Sequence, residues 1–295
     1  MEDARKMPLP FDFFVKYLGK PLAELTGEEK AAWDADIMAH EEAAVRRERY
    51  EAFRHCGATA RQCAMAGFEK FTALQPQQNE VLNLCLTFLG EILAGGDNIL
   101  TLSGRSGCGK TYFALSLLKE FYRSERPPLF VTAADGGRVN TNVCWYRSGI
   151  FVSSDMLCDY LGNRLAMSRG VGKHSAIGMF GRADLLVIDE VGRAQCQTQT
   201  EMRAVFSIIE RRINEGLPTV LTTNYSTDEM ERNFGAALMS RLHADGNIVV
   251  EMTGIRDMRS KKSREEMRQV HESAPLFAVS GGGPGPDPFT AGIPF

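Results

Sequence analysis

The segment LTLSGRSGCGKTYF, residues 100–113, constrains the fold of this chain more than any other. An apolar run enters a glycine-rich stretch, Gly104-Arg-Ser-Gly-Cys-Gly-Lys-Thr111, and a second apolar run leaves it. The spacing is G-x-x-x-x-G-K-S/T. Glycines let the main chain curl so that several N–H groups converge on one anion. A helix starting at the loop's end aims the positive end of its dipole at the same point. Such a loop requires a strand before it and a helix after it. Asn98–Ser103 reads as the strand and Tyr112–Tyr122 as the helix. Gly104, Arg105, Ser106, Gly107, Cys108, Gly109, Lys110 and Thr111 are therefore the candidate residues for a nucleoside triphosphate, ATP. Lys110 would neutralise the β- and γ-phosphates, and Thr111 would offer its hydroxyl to Mg2+.

A metal at such a site needs a carboxylate. Leu185-Leu-Val-Ile-Asp-Glu190 supplies one at the end of a short, continuously apolar run, the pattern of a parallel strand buried on both faces. Acids at the C-terminal ends of such strands lie at the ligand edge of the sheet. Asp189 is the candidate Mg2+ ligand, and Glu190 the candidate group for activating water. Asn224 ends the apolar run Thr219-Val-Leu-Thr-Thr223 and is placed to contact both the γ-phosphate and the attacking water. Arg241, in Met239-Ser-Arg-Leu242, follows a helical stretch from Asp228 to Met239, and an arginine there can reach a neighbouring subunit's phosphate in trans. Arg259 is a further phosphate-sensing candidate.

Strand-like and helical segments alternate through the middle of the chain. Pro76 opens a helix with Val81, Leu84, Cys85, Phe88 and Leu89 on its apolar face, and Gly95-Gly96 ends it. Residues 129–132, 150–153 and 248–251 read as strands, and 202–213 as a helix stopped by Gly216 and Pro218. The segment at 133–148 reads as a β-hairpin excursion. The alternation predicts an α/β fold with a mostly parallel sheet flanked by helices. Residues 1–68 form a small helical N-terminal region, in which Thr26-Gly-Glu-Glu29 fits a capping box opening a helix to about Phe53. That helix packs on its own domain or docks on a partner. Residues 69–265 form the nucleotide domain. The tail at 273–295 is too rich in Gly and Pro to build a core.

Composition narrows the setting. A formal net charge of −3 makes the chain no polycation, so any nucleic-acid contact relies on local patches, such as Arg164, Arg169, Lys173 and His174. The seven cysteines include no C-x-x-C pair, as expected of reduced thiols. His55, Cys56 and Cys63 lack a fourth zinc ligand at suitable spacing. MEDARKMPLP has no apolar signal-peptide core, and no apolar run approaches the ~20 residues that span a bilayer. The expected location is the cytoplasm, with no membrane partner.

Taken together, SGRSGCGKT, ADLLVIDEVGR, IIERRINEG, PTVLTTNYS and ALMSRLHADGNIV followed by RDMRSK resemble the AAA+ ATPases of the DnaC/IstB type. That family comprises replicative helicase loaders and the ATPase helpers of some transposases. The likeness runs from about residue 55 to 262. It implies an AAA+ P-loop domain that hydrolyses ATP slowly with Mg2+, assembles as a homo-oligomer on DNA, single-stranded DNA first, and has a replicative helicase or a transposase as partner. It also implies an N-terminal region that grips the helicase. The excursion at 133–148 and the tail are departures from the family's pattern. The final Ile293-Pro-Phe295 is similar to the terminus of bacterial single-stranded-DNA-binding proteins but lacks their acidic run. A P-loop kinase and a nucleotide-gated binding module are the competing classes.

Overall fold

The computed structural model describes residues 26–124, 130–132, 138–140, 147–161, 173–192 and 199–273. The chain divides after Glu51 into two compact units. Helix α1, Gly27–Arg54, makes up the described part of the first and runs across the division. The side chains of Trp33, Ile37 and Glu42 on this helix lie outside the described residues.

The second unit begins at Ala52, ahead of the boundary read near residue 68. The reason is a set of long-range bonds. Phe151 N–H donates to Cys56 O at 2.8 Å, so the chain at 56–57 lies along the outer edge of a strand. Gly57 is required there, with φ 111, because a Cβ would come 2.1 Å from Phe151 O. Helix α2, Ala60–Met65, starts with a Thr59–Gln62 capping box. After it, Gly67 N–H donates to Ser116 Oγ, and the buried Lys119 holds Glu69 at 2.6 Å and Ala66 O at 3.2 Å. These residues are walls of the nucleotide domain.

Helix α3, Pro76–Leu93, opens on proline and stops before Gly95, as its sequence predicts. Strand β1, Ile99–Ser103, is buried at every position and leads through the glycine loop into α4. Helix α4 begins at Lys110 itself and ends at Arg123. The segments β2, Phe130–Thr132, and β3, Arg138–Asn140, pair antiparallel in a separate two-stranded ladder. Of the excursion read at 133–148, residues 138–140 and 147–148 are described; 138–140 pairs with 130–132, which therefore belongs to this ladder and not to the main sheet. Strand β4, Gly149–Ser153, passes directly into α5, Ser154–Leu161. Then follow α6, Lys173–Arg182, β5, Leu185–Val191, and α7, Gln199–Asn214. Strand β6, Thr219–Thr223, precedes α8, Thr227–Phe234, and α9, Ala236–Leu242. The expected single helix over 228–239 is two, because Gly235 at φ 81 breaks it. Strand β7, Ile248–Glu251, and α10, Lys261–Ser273, complete the unit, so the domain reaches past residue 265.

The five main strands run β4-β5-β6-β1-β7, and every neighbouring pair is parallel. Helices cover both faces, which is what strands this apolar demand. Leu186, Ile188 and Leu221 pack with Val205, Ile208 and Ile209 of α7 and with α5, α8 and α9. Helix α4 packs against β4, β5 and β6, and against α3. Arg212 is wholly buried beneath this arrangement. It donates to Phe180 O, Ala183 O, Pro218 O and Thr219 Oγ1 at 2.7–2.9 Å. All parallel strands end on one edge, and that edge carries the glycine loop.

Candidate nucleotide site

The glycine loop emerges from β1 at the C-terminal edge of the sheet. Gly107, at φ 87, is where a side chain is excluded: a Cβ would meet the Asp257 carboxylate at 2.1 Å. Met258 N–H donates to Gly107 O, and Arg259 Nη1 donates to Ser106 Oγ at 3.4 Å. The segment after β7 therefore straps across the loop, and Arg259 lies beside it. The strap is anchored by Gln75, whose side chain bonds Gly254 O and Arg256 N, and by an Arg256–Glu266 pair into α10.

Lys110 is buried at the head of α4. Its Nζ donates to Gly104 O at 2.6 Å, Arg105 O at 2.9 Å and Asn224 Oδ1 at 2.8 Å. Burial pushes its ammonium below the usual range, while Cys108, Asp189 and Glu190 pull it back. Asp189, also buried, is pushed the other way: burial raises its carboxyl, and bonds from Thr222 and Thr111 lower it. Both groups are held in a desolvated place that disfavours their charged forms, and each charge is relieved by a counter-charge brought to it. A polyphosphate would do this for Lys110 and a divalent cation for Asp189.

The donor set fits Mg2+. Thr111 Oγ1 lies 3.0 and 3.1 Å from the two Asp189 carboxylate oxygens, so two hard oxygen ligands converge. Mg2+ is usually held by one or two protein oxygens, with waters and phosphate completing the shell. Glu190 follows at φ 59, the one non-glycine residue with positive φ among the described residues. That backbone turns its carboxyl away from the strand direction and into the cleft. Asn224 follows β6 and is exposed in the same cleft.

The cleft has a volume of about 520 Å3. Ser106 to Thr111, Glu190, Asn224 and Arg259 line it. Met65, Phe71, Met258 and Met267 add apolar lining, with Gln78 beside them. Gln78 is buried, and its Oε1 accepts from the N–H groups of Leu74 and Gln75. This apolar lining was invisible in the sequence, because its residues come from segments with no shared motif.

Arg241 is not in the cleft. It is exposed on α9, its guanidinium donates to Asn214 Oδ1 at 3.4 Å, and its carbonyl accepts from Asn247. Asn247 in turn accepts from Ile99 N–H at the start of β1. Arg241 is thus at the far end of a strand from its own glycine loop, a strand's length of roughly 16 Å away. Arg164 and Arg169 lie outside the described residues. So do the side chains of Lys173 and His174, which open α6, and so does the tail with Ile293-Pro-Phe295. Among the described residues there is no cluster of three or more His, Cys, Asp or Glu for a metal, and no helix is long and apolar enough to cross a membrane.

No family model matches the chain. A curated relative, the replicative helicase loader DnaC of Escherichia coli K12, is 25% identical over 232 residues, covering 76% of this chain and 84% of the relative. The DnaC of Shigella flexneri matches equally. A solved DnaC helicase loader superposes with a TM-score of 0.51 at 21% identity, covering 65% of this chain and 99% of that one. The fold is accordingly that of the solved DnaC helicase loader, and the sequence similarity to DnaC extends over 76% of this chain.

Proposed function

We propose that this chain is an ATP-driven loader of a replicative helicase. The observation that carries the reading is one cleft lined by Ser106 to Thr111 of the glycine loop, Glu190 and Asn224, with Asp189 bonded to Thr111, in a chain similar to DnaC over most of both lengths. Lys110 and the loop amides bind the triphosphate. Lys110 leaves Gly104 O and Arg105 O for phosphate oxygens at little cost, since one charged hydrogen bond replaces another. Thr111 and Asp189 would hold Mg2+, which would supply positive charge against the phosphates. Glu190 orients and deprotonates the attacking water, and Asn224 fixes it beside the γ-phosphate. Arg241 is supplied by a neighbouring copy, because its own loop is out of reach, so hydrolysis depends on assembly. Arg259 reports the nucleotide state to α10 through the strap.

The region before Ala52 takes the partner. The test is capture with Glu190→Gln in ATP, which binds nucleotide without turning it over. Recovery of a replicative helicase, lost on deleting residues 1–51 while ATP affinity persists, is the expected result. The deletion stops at 51 because residues 56–57 already cover β4. Recovery of a transposase would move the chain to the transposition-helper branch. Retention of the helicase by the truncated chain would overturn the partner-binding role.

A further inference from the structure

We infer that Thr222 is the positioning residue that sets both acids of the site, an inference that rests on the ATP-site reading above. Thr222 is wholly buried near the end of β6. A hydroxyl has one hydrogen to donate and lone pairs with which to accept. Thr222 spends the hydrogen on Asp189 Oδ1 at 2.6 Å and accepts the Glu190 N–H at 2.9 Å. One side-chain oxygen thus holds the carboxylate assigned to the metal and the main chain of the acid assigned to water.

The register explains why a side chain is needed. Strands β5 and β6 pair with Ile188 opposite Leu221, and pairing resumes with Val191 opposite Thr223. Asp189 and Glu190 together face Thr222 alone. That is a β-bulge, and a bulge leaves one residue without a ladder partner. At the bulge, Glu190 N–H takes the Thr222 hydroxyl as an acceptor. The same bulge carries the φ of 59 at Glu190, a conformation that persists only when its surroundings hold it. Ser154 Oγ fixes the peptide from the other side by donating to Glu190 O at 2.7 Å. On Asp189, Thr222 occupies Oδ1 while Thr111 reaches both oxygens, so the plane of the carboxylate is set by two hydroxyls from different elements. The neighbouring Thr223 acts elsewhere. Its hydroxyl donates to Val191 O, and its carbonyl accepts from Gly104 N–H.

The experiment uses the full chain with Thr222→Val, Thr222→Ala and Thr222→Ser. Fluorescent-ATP binding is measured with Mg2+ and with EDTA, single-turnover hydrolysis is followed, and thermal unfolding is recorded. Loss of the hydroxyl in Val and Ala should lower both the Mg2+-dependent gain in ATP affinity and the hydrolysis rate by about 10- to 100-fold, the usual effect of removing the group that orients a metal ligand. Affinity in EDTA should be unchanged, and Ser should restore both losses. Retention of Mg2+ dependence and rate in Val and Ala would overturn the inference. So would a loss of EDTA affinity in step with the Mg2+ value, failure of a folded Ser variant to recover, or unfolding of both Val and Ala. Wild-type protein without ATP affinity in either condition would instead sink the underlying reading, and this inference with it.

Discussion

Lys110 and Arg212 are both buried cations, and for both the main influence on the charge is burial. Burial pulls the Arg212 guanidinium down to about 10 and pushes the Lys110 ammonium down as well. Neither has an ion-pair partner among the described residues. They differ in what they hold. Arg212 is fixed by three carbonyls and a hydroxyl drawn from α6, the turn after it, and the entry to β6, all interior groups with nowhere else to turn. Lys110 is fixed by two carbonyls of a glycine loop and an amide at an exposed strand end, facing an open cleft. A buried cation whose acceptors are all interior is a structural tie. One whose acceptors line a cleft can exchange them for a ligand.

The contrast is open to direct tests, and the largest effect should come from the cation outside both places. Arg241→Ala should slow ATP hydrolysis by about 10³-fold or more, the range of an arginine supplied in trans. Mixing it with Glu190→Gln subunits should recover activity, since some interfaces then pair an intact Arg241 with an intact Glu190; steady-state phosphate release on mixing decides this, and no recovery would place the arginine elsewhere. Arg212→Met should lower unfolding free energy by about 3 kcal/mol, by stranding buried acceptors, yet leave the ATP affinity of the folded protein intact. Denaturant melts beside titrations at a permissive concentration would read both. Lys110→Ala should do the reverse, weakening ATP binding by roughly 2–3 kcal/mol with a smaller change in the denaturation midpoint than Arg212→Met. If the two variants moved stability alike, the distinction would fail. Lys119→Met should be mildest, at about 1–2 kcal/mol of stability, because its partner Glu69 keeps contact with water.

Local sequence carried much of this. The loop at 104–111, the strand ending in Asp189-Glu190 and the strand ending in Asn224 were each legible because the chemistry and its flanking apolar runs are contiguous. A hairpin was expected within 133–148, but the pairing of 138–140 with 130–132 was not legible, since an apolar triplet fits either ladder. Thr222 went unread because a hydroxyl in a buried strand has no pattern of its own. The boundary at Ala52 went unread because Gly57 and Gly67 look like loop residues until the strand edge and helix they touch are in place.

The amino-acid order by itself determined that a parallel sheet would deliver a glycine loop, two acids and an amide to one edge, because parallel strands share a direction and each motif sits at a strand's end. Tertiary structure alone decided which cation is a tie and which is poised for a ligand, which hydroxyl holds the acids, and that Arg241 faces away from its own loop. Those facts depend on neighbours distant in the chain. Hydrogen-bond satisfaction in a desolvated interior is settled between elements, not along one.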